Sequence, residues 1–138
     1  MITLKKALSI ANDCISIART QNTKPIAVVV LDKNGNLIVA LKEDEASFFR
    51  IDVAKGKAWG CVALGESSRG LFEKAKKNPS FINGLTVTSG GKILPNPGAV
   101  PIFEDKEIIG SVGISGDSGD NDEKICIQAV NENNYETN

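Results

Sequence analysis

The sequence predicts an α+β domain spanning residues 1–138, and three observations lead to it. Apolar residues near both ends recur at helical spacing. The β-branched apolar runs between them are too short for helices. No repeat, linker or low-complexity tract divides the chain. At 138 residues the chain can bury roughly two thirds of its unfolded surface, so one core suffices without a disulfide or structural metal.

Taken in order, Leu4, Leu8, Ala11, Ile15 and Ala18 form one stripe of an amphipathic helix, with Thr3 as its N-cap. Lys24-Pro25 biases the next segment to an extended path. Ile26 to Leu31 is a continuous apolar run and reads as a central strand; Asp32 to Asn36 carries the Asn-Gly turn signal, and Leu37 to Leu41 completes a hairpin. Ala46 to Leu64 has no proline and places Phe49, Val53, Ala54, Ala58, Cys61 and Leu64 near helical spacing. Ser67 or Ser68 caps a shorter helix through Leu71, Phe72 and Ala75, closed by Asn78-Pro79.

Beyond Gly84 the texture is β-prone, in the pieces Leu85–Thr88, Lys92–Leu94, Val100–Phe103 and Ile108–Ile114. Glu104-Asp105-Lys106 makes a polar turn that pairs the last two. Gly116 to Asp122 is expected as a loop, Glu123 to Asn131 as a helix through Ile125, Cys126, Ala129 and Val130, and the polar tail to Asn138 as frayed.

Composition excludes whole classes of chemistry. There is no histidine, so a Ser-His-Asp triad, a Cys-His dyad, an H-E-x-x-H zinc site and a His-ligated haem cannot form within the chain. A formal charge of -1 from 16 basic and 17 acidic residues supplies no field for polyanions, so nucleic acid is not an expected partner. Asn12-Asp13 interrupt the first apolar run before a signal peptide or membrane span could form, so the chain is expected in the cytoplasm and off the membrane. Cys14, Cys61 and Cys126 stand far apart in no C-x-x-C pair and read as small core residues, with no metal site expected.

The most unusual stretch runs from Gly110 through Gly113, Ser115, Gly116 and Gly119 to Asp122 and Glu123, a strand turning through glycines into a helix. Such a junction lets a ligand approach the backbone and presents free N–H groups. Three acidic residues, Asp117, Asp120 and Asp122, argue against phosphate. The structural alternative is that Asp120 or Asp122 caps the helix. Glu43-Asp44-Glu45 precedes the long helix, where carboxylates meet the helix dipole or serve acid-base work. Lys55 and Lys57 read as solvated charges.

These segments together resemble the GlcG/HbpS family, small bacterial domains also found as the C-terminal part of PduO-type corrinoid proteins. The resemblance is carried by Ile26 to Asp32 with Gly35, by Asp44-Glu-Ala46 followed by Ala54 and Lys57-Ala58, by Gly98-Ala-Val-Pro101-Ile102, and by Ile109 to Gly116 leading to Asp122-Glu123. It implies a profilin-like or roadblock-like three-layer sandwich, a five-stranded antiparallel sheet with helices on both faces, assembled as dimers or larger homo-oligomers. It also implies ligand-binding roles for Asp44, Gly98, Pro101, Gly113, Ser115, Gly116, Asp122 and Glu123, and haem or a corrinoid as cofactor. Without His, iron would take Cys, Met1, Tyr135 or another oxygen or nitrogen donor.

Three functions are consistent with this. The first is a binding module for a tetrapyrrole or another small planar ligand. The second is a lyase or isomerase acting on a metabolite, with Asp44 or Asp122 as base and Ser115 or backbone N–H groups as oxyanion donors. The third is an accessory protein that pairs with itself or with an enzyme.

Overall fold

The computed structural model describes residues 1–138. Helix α1 spans Leu4–Thr20, strands β1 and β2 span Ala27–Asp32 and Leu37–Lys42, and helices α2, α3 and α4 span Phe49–Leu64, Ser68–Lys77 and Pro79–Thr88. Strands β3 (Ala99–Glu104) and β4 (Glu107–Ser115) come next, then α5 (Gly119–Glu132). The sheet is antiparallel throughout, in the order β2-β1-β4-β3. It has four strands, one fewer than the resemblance implies.

Strand β1 lies inside the sheet with both faces covered, which is why its apolar run is continuous rather than alternating. Its even residues Val28 and Val30 join Val112 and Ile114 of β4 and Val100 and Ile102 of β3 under α1 and α5, while Val29, Leu31 and Ala99 face Ala54, Ala58 and Cys61 of α2. Helix α2 rests almost on the backbone of β4. A Cβ at Gly113 would stand 2.4 Å from the Ala54 carbonyl oxygen, and Ser111 Oγ donates to the Ala58 carbonyl at 2.8 Å.

Several local expectations stand. Thr3 caps α1 and Ser67 caps α3. The β1–β2 turn is held by Asp32, whose Oδ1 accepts from Asn34 N at 2.9 Å and Asn36 N at 3.0 Å. All three cysteines are free and buried.

Five expectations are corrected. The α1 stripe that meets the core is Ala7, Ile10, Ala11, Cys14, Ile17 and Ala18, so Leu4 and Leu8 face outward at 64% and 41% exposure; small residues let the helix sit closer to the sheet. Leu85–Thr88 is helical rather than a strand, because Asn78 does more than end α3: it caps α4, with Pro79 in the first turn. Lys92–Leu94 is no strand either, since Leu94 N donates to the Gly56 carbonyl on α2 at 3.1 Å. Helix α5 begins at Gly119, four residues earlier than expected, because Ser118 caps it and accepts from Asn121 N at 3.1 Å. The C-terminal tail is tied down, with Phe103 and Glu136 exchanging backbone hydrogen bonds of 2.8 and 3.1 Å on the free edge of β3.

Candidate functional site

The end of β4, the start of α5 and the entry to β3 converge on one buried ion pair. Lys57 projects from α2, where it sits with Ala54, Ala58 and Cys61 on the buried stripe. Its Nζ donates to the Ile114 carbonyl at 3.0 Å and lies 3.7 Å from Asp122 Oδ2 on α5, with side-chain exposures of 4% and 1%. Asp122 Oδ1 accepts from Asp117 N at 3.2 Å, while Oδ2 has no hydrogen-bond partner. A carboxylate oxygen so placed is poorly satisfied, because 3.7 Å is beyond hydrogen-bond range.

The electrostatics are set by burial. Burial pushes the Lys57 ammonium below its ordinary value, against the pull of Asp122. Burial likewise pushes the Asp122 carboxyl up, with Lys57 and the Asp117 N–H acting in the opposite direction. Each charge therefore loses more by leaving water than the other restores.

Glycine builds the cover over the pair. Gly98, at φ +136°, passes so close that a Cβ there would lie 2.5 Å from Lys57 Nζ, and Gly116, at φ +151°, so close to Pro25 that a Cβ would lie 2.2 Å from its carbonyl oxygen. No side chain could take either place. Cys126 donates to the Gly98 carbonyl at 3.4 Å, and Ser68 both accepts from Ala99 N at 2.9 Å and donates to Ala99 O at 3.1 Å. These contacts pin the loop that covers Lys57.

Of the eight residues singled out in the sequence, Gly98, Gly113, Ser115, Gly116 and Asp122 gather around this pair. Ser115 is buried, and its Oγ accepts from Arg50 Nη1 at 3.2 Å. Glu123 lies on the next face of α5, accepting from Arg69 Nε at 2.9 Å, and Arg69 also pairs with Asp120. Pro101 is buried in the edge strand β3, a position that tolerates a missing N–H. Asp44 stands apart, exposed in the β2–α2 connection.

Three readings of charged residues need correction. Asp122 does not cap α5 and neither does Asp120, since Ser118 takes that place. Glu43 does not meet the α2 dipole; it accepts from Ile26 N at 2.9 Å and pairs with Arg19 at 2.8 Å. Lys57 is no solvated charge but 3% exposed. Its signal was present in the sequence, because Ala54, Lys57, Ala58 and Cys61 fall at i, i+3, i+4 and i+7 on one helical face.

Possible iron donors are few. Cys14, Cys61 and Cys126 are fully buried. Burial pushes the Cys61 thiol up to about 12 and that of Cys126 well above its ordinary value, which disfavours the thiolate that would bind metal. Burial also raises the Tyr135 phenol. Met1 is 59% exposed at the chain end. The residues present do not make an ordinary axial ligand set for haem.

Residues 2–131 match the model of a family described as haem degrading protein HbpS-like. The corrinoid adenosyltransferase PduO of Salmonella typhimurium is 27% identical over 116 residues, a match covering 83% of this chain and 34% of PduO. Among solved structures, the Klebsiella pneumoniae protein ORFY superposes with a TM-score of 0.86 at 26% identity, covering 96% of this chain and 89% of that one. The PduOC–haem complex superposes at 0.88 with 24% identity, covering 99% and 97%.

Proposed function

We propose that this chain, which belongs to the haem degrading protein HbpS-like family, is a non-catalytic module that binds a tetrapyrrole, haem or a corrinoid, as an accessory protein. The family match over residues 2–131 carries the tetrapyrrole part of the reading. The fold is one that holds haem in PduOC. The donor set refines it: with no histidine and its thiols buried, the protein holds the macrocycle by its faces and carboxylates rather than by a strong bond to the metal. The eight residues picked out by resemblance remain candidates for lining the site, five of them around the Lys57–Asp122 pair.

The module acts in the cytoplasm as a homo-oligomer of one domain, 1–138. Three free thiols suit a reducing compartment. The outward-facing Leu4, Leu8, Phe48 and Phe49 offer apolar surface for self-association. No helix is long and apolar enough to cross a membrane.

Titrating the purified protein with haemin and following the Soret band tests this. The expected result is a saturable, stoichiometric change that co-elutes with protein on size exclusion, whose elution volume also gives the assembly state. No saturable change at micromolar haemin would remove the haem reading.

A second reading, a lyase or isomerase with Asp122 as base, is favoured by the orphaned Oδ2 and the raised Asp122 carboxyl. Incubating the native and Asp122→Asn proteins with a small-molecule extract, at a temperature where circular dichroism shows both folded, and comparing products by mass spectrometry separates the two. A product made only by the native protein selects the enzyme.

A further inference from the structure

A preformed cleft lies on the outer face of α2, away from the Lys57–Asp122 pair. Asp52, Lys55, Gly56 and Trp59 fall at i, i+3, i+4 and i+7, so they line one stripe of the helix, and this stripe floors a cavity of ≈ 290 Å³. Gly35 of the β1–β2 turn borders it on one side and Gly91-Lys92 on the other.

Both walls are fixed to the floor. Leu94 N donates to the Gly56 carbonyl at 3.1 Å, and a Cβ at Gly56 would come within 3.0 Å of Leu94 Cβ. On the other side Gly35, at φ +82°, passes so near the indole that a Cβ would lie 2.8 Å from Trp59 Nε1. Trp59, the one tryptophan of the chain, is thus held in place, and little ordering entropy remains to be lost on binding.

The surroundings of that indole select a ligand. Lys92 Nζ stands 5.7 Å from the ring centroid, and exposed Lys55 shares the cavity, against the single carboxylate of Asp52. A second hollow of ≈ 160 Å³, bordered by Lys33, Asn34, Gly35, Val62 and Ala63, also includes Trp59 in its lining. Lys55 and Lys92 thus share the cavity with one flat aromatic surface, and Lys33 borders the adjoining hollow, in a protein of net charge -1.

We propose that this cleft binds a flat aromatic ring bearing carboxylate, with the ring against Trp59 and the carboxylate oxygens on Lys55 and Lys92. Stacking and charge-assisted hydrogen bonds supply the affinity. Two sources share that chemistry: a free aromatic acid, which a cavity of ≈ 290 Å³ accepts whole, and the propionate edge of a tetrapyrrole extending beyond it. For the tetrapyrrole the proposal rests on the function proposed above. For the free acid it stands without it.

The test titrates the full-length protein with salicylate and, separately, with metal-free protoporphyrin IX. Binding is read by equilibrium dialysis and by quenching of Trp59 fluorescence. Saturable binding of either probe at one per chain is expected, weakened at least tenfold in Lys55→Ala/Lys92→Ala with an unchanged circular dichroism spectrum. Both lysines are exposed, so the variant keeps its fold. The probe that binds identifies the source. Binding of neither probe, or equal binding to the double variant, overturns the proposal. Haemin bound equally by native and variant proteins, with neither probe bound in a lysine-dependent way, would remove this cleft while leaving the tetrapyrrole function intact; lysine-dependent binding of salicylate without binding of any porphyrin would do the reverse.

Discussion

Replacing Lys57 with Met leaves Asp122, fully buried, facing the interior with only the Asp117 N–H at 3.2 Å to stabilise its charge. Removing one member of a buried pair costs about 3–5 kcal/mol, because the survivor keeps its desolvation penalty and loses its compensation. Asp122→Asn should cost a similar amount, since the ammonium then retains only the Ile114 carbonyl. The double variant Lys57→Met/Asp122→Asn buries no charge. Its loss is expected to fall far below the sum of the two single losses, leaving it near the native stability, because the native pair at 3.7 Å with an orphaned Oδ2 is itself poorly compensated.

Urea denaturation reads this directly. At a slope of about 2 kcal/mol per molar, each single variant should lower the midpoint by about 2 M, and the double variant by much less. A single variant costing under about 1 kcal/mol, or two losses that simply add, would refute the argument from burial.

The pH dependence carries the same signature. Asp122 has a folded value above 3.8, so between 3.8 and that value the native state holds a proton the unfolded chain has released, and stability falls as pH rises through the window. Lys57 has a folded value below 10.5, so stability rises with pH between that value and 10.5. Both slopes should vanish in the double variant.

Four further outcomes are expected. Gly113→Ala should destabilise by about 1–3 kcal/mol, measured by thermal unfolding, because its Cβ would meet the Ala54 carbonyl at 2.4 Å and push α2 off the sheet. Ser68→Ala should cost about 1–3 kcal/mol in urea, since Ala99 loses both its donor and its acceptor inside the protein. Asp105→Asn with Lys106→Gly should raise stability by about 1 kcal/mol, because both residues now sit at positive φ, +50° and +67°, in the β3–β4 turn. Thiol titration with Ellman's reagent should count no reactive cysteine in the native protein and all three after denaturation, given their burial.

Much of the fold is legible without coordinates because its signals act over a few residues. Thr3 and Ser67 at helix starts, Asn34-Gly35 between two apolar runs, and the buried run of β1 each specify their own surroundings. The same reasoning misreads Leu85–Thr88, whose β-branched residues favour a strand until Asn78-Pro79 starts a helix upstream of them. In α1 it selects the wrong stripe: periodicity permits either Leu4-Leu8 or Ala7-Ile10-Ala11, and the closeness of the sheet decides between them.

The candidate site divides in the same way. Glycines at 98, 113 and 116 mark in the sequence where backbones approach closely, and the helix after them marks where N–H groups gather. Which groups approach them is settled only in three dimensions. Lys57 becomes a buried cation because Ile114, 57 residues away, and Asp122 close over it, and Trp59 becomes a platform because Gly35 and Lys92 flank it from two different loops. Spacing along a chain fixes which residues share a face, whereas burial and charge compensation depend on partners that only the packing of distant segments brings within a few ångströms.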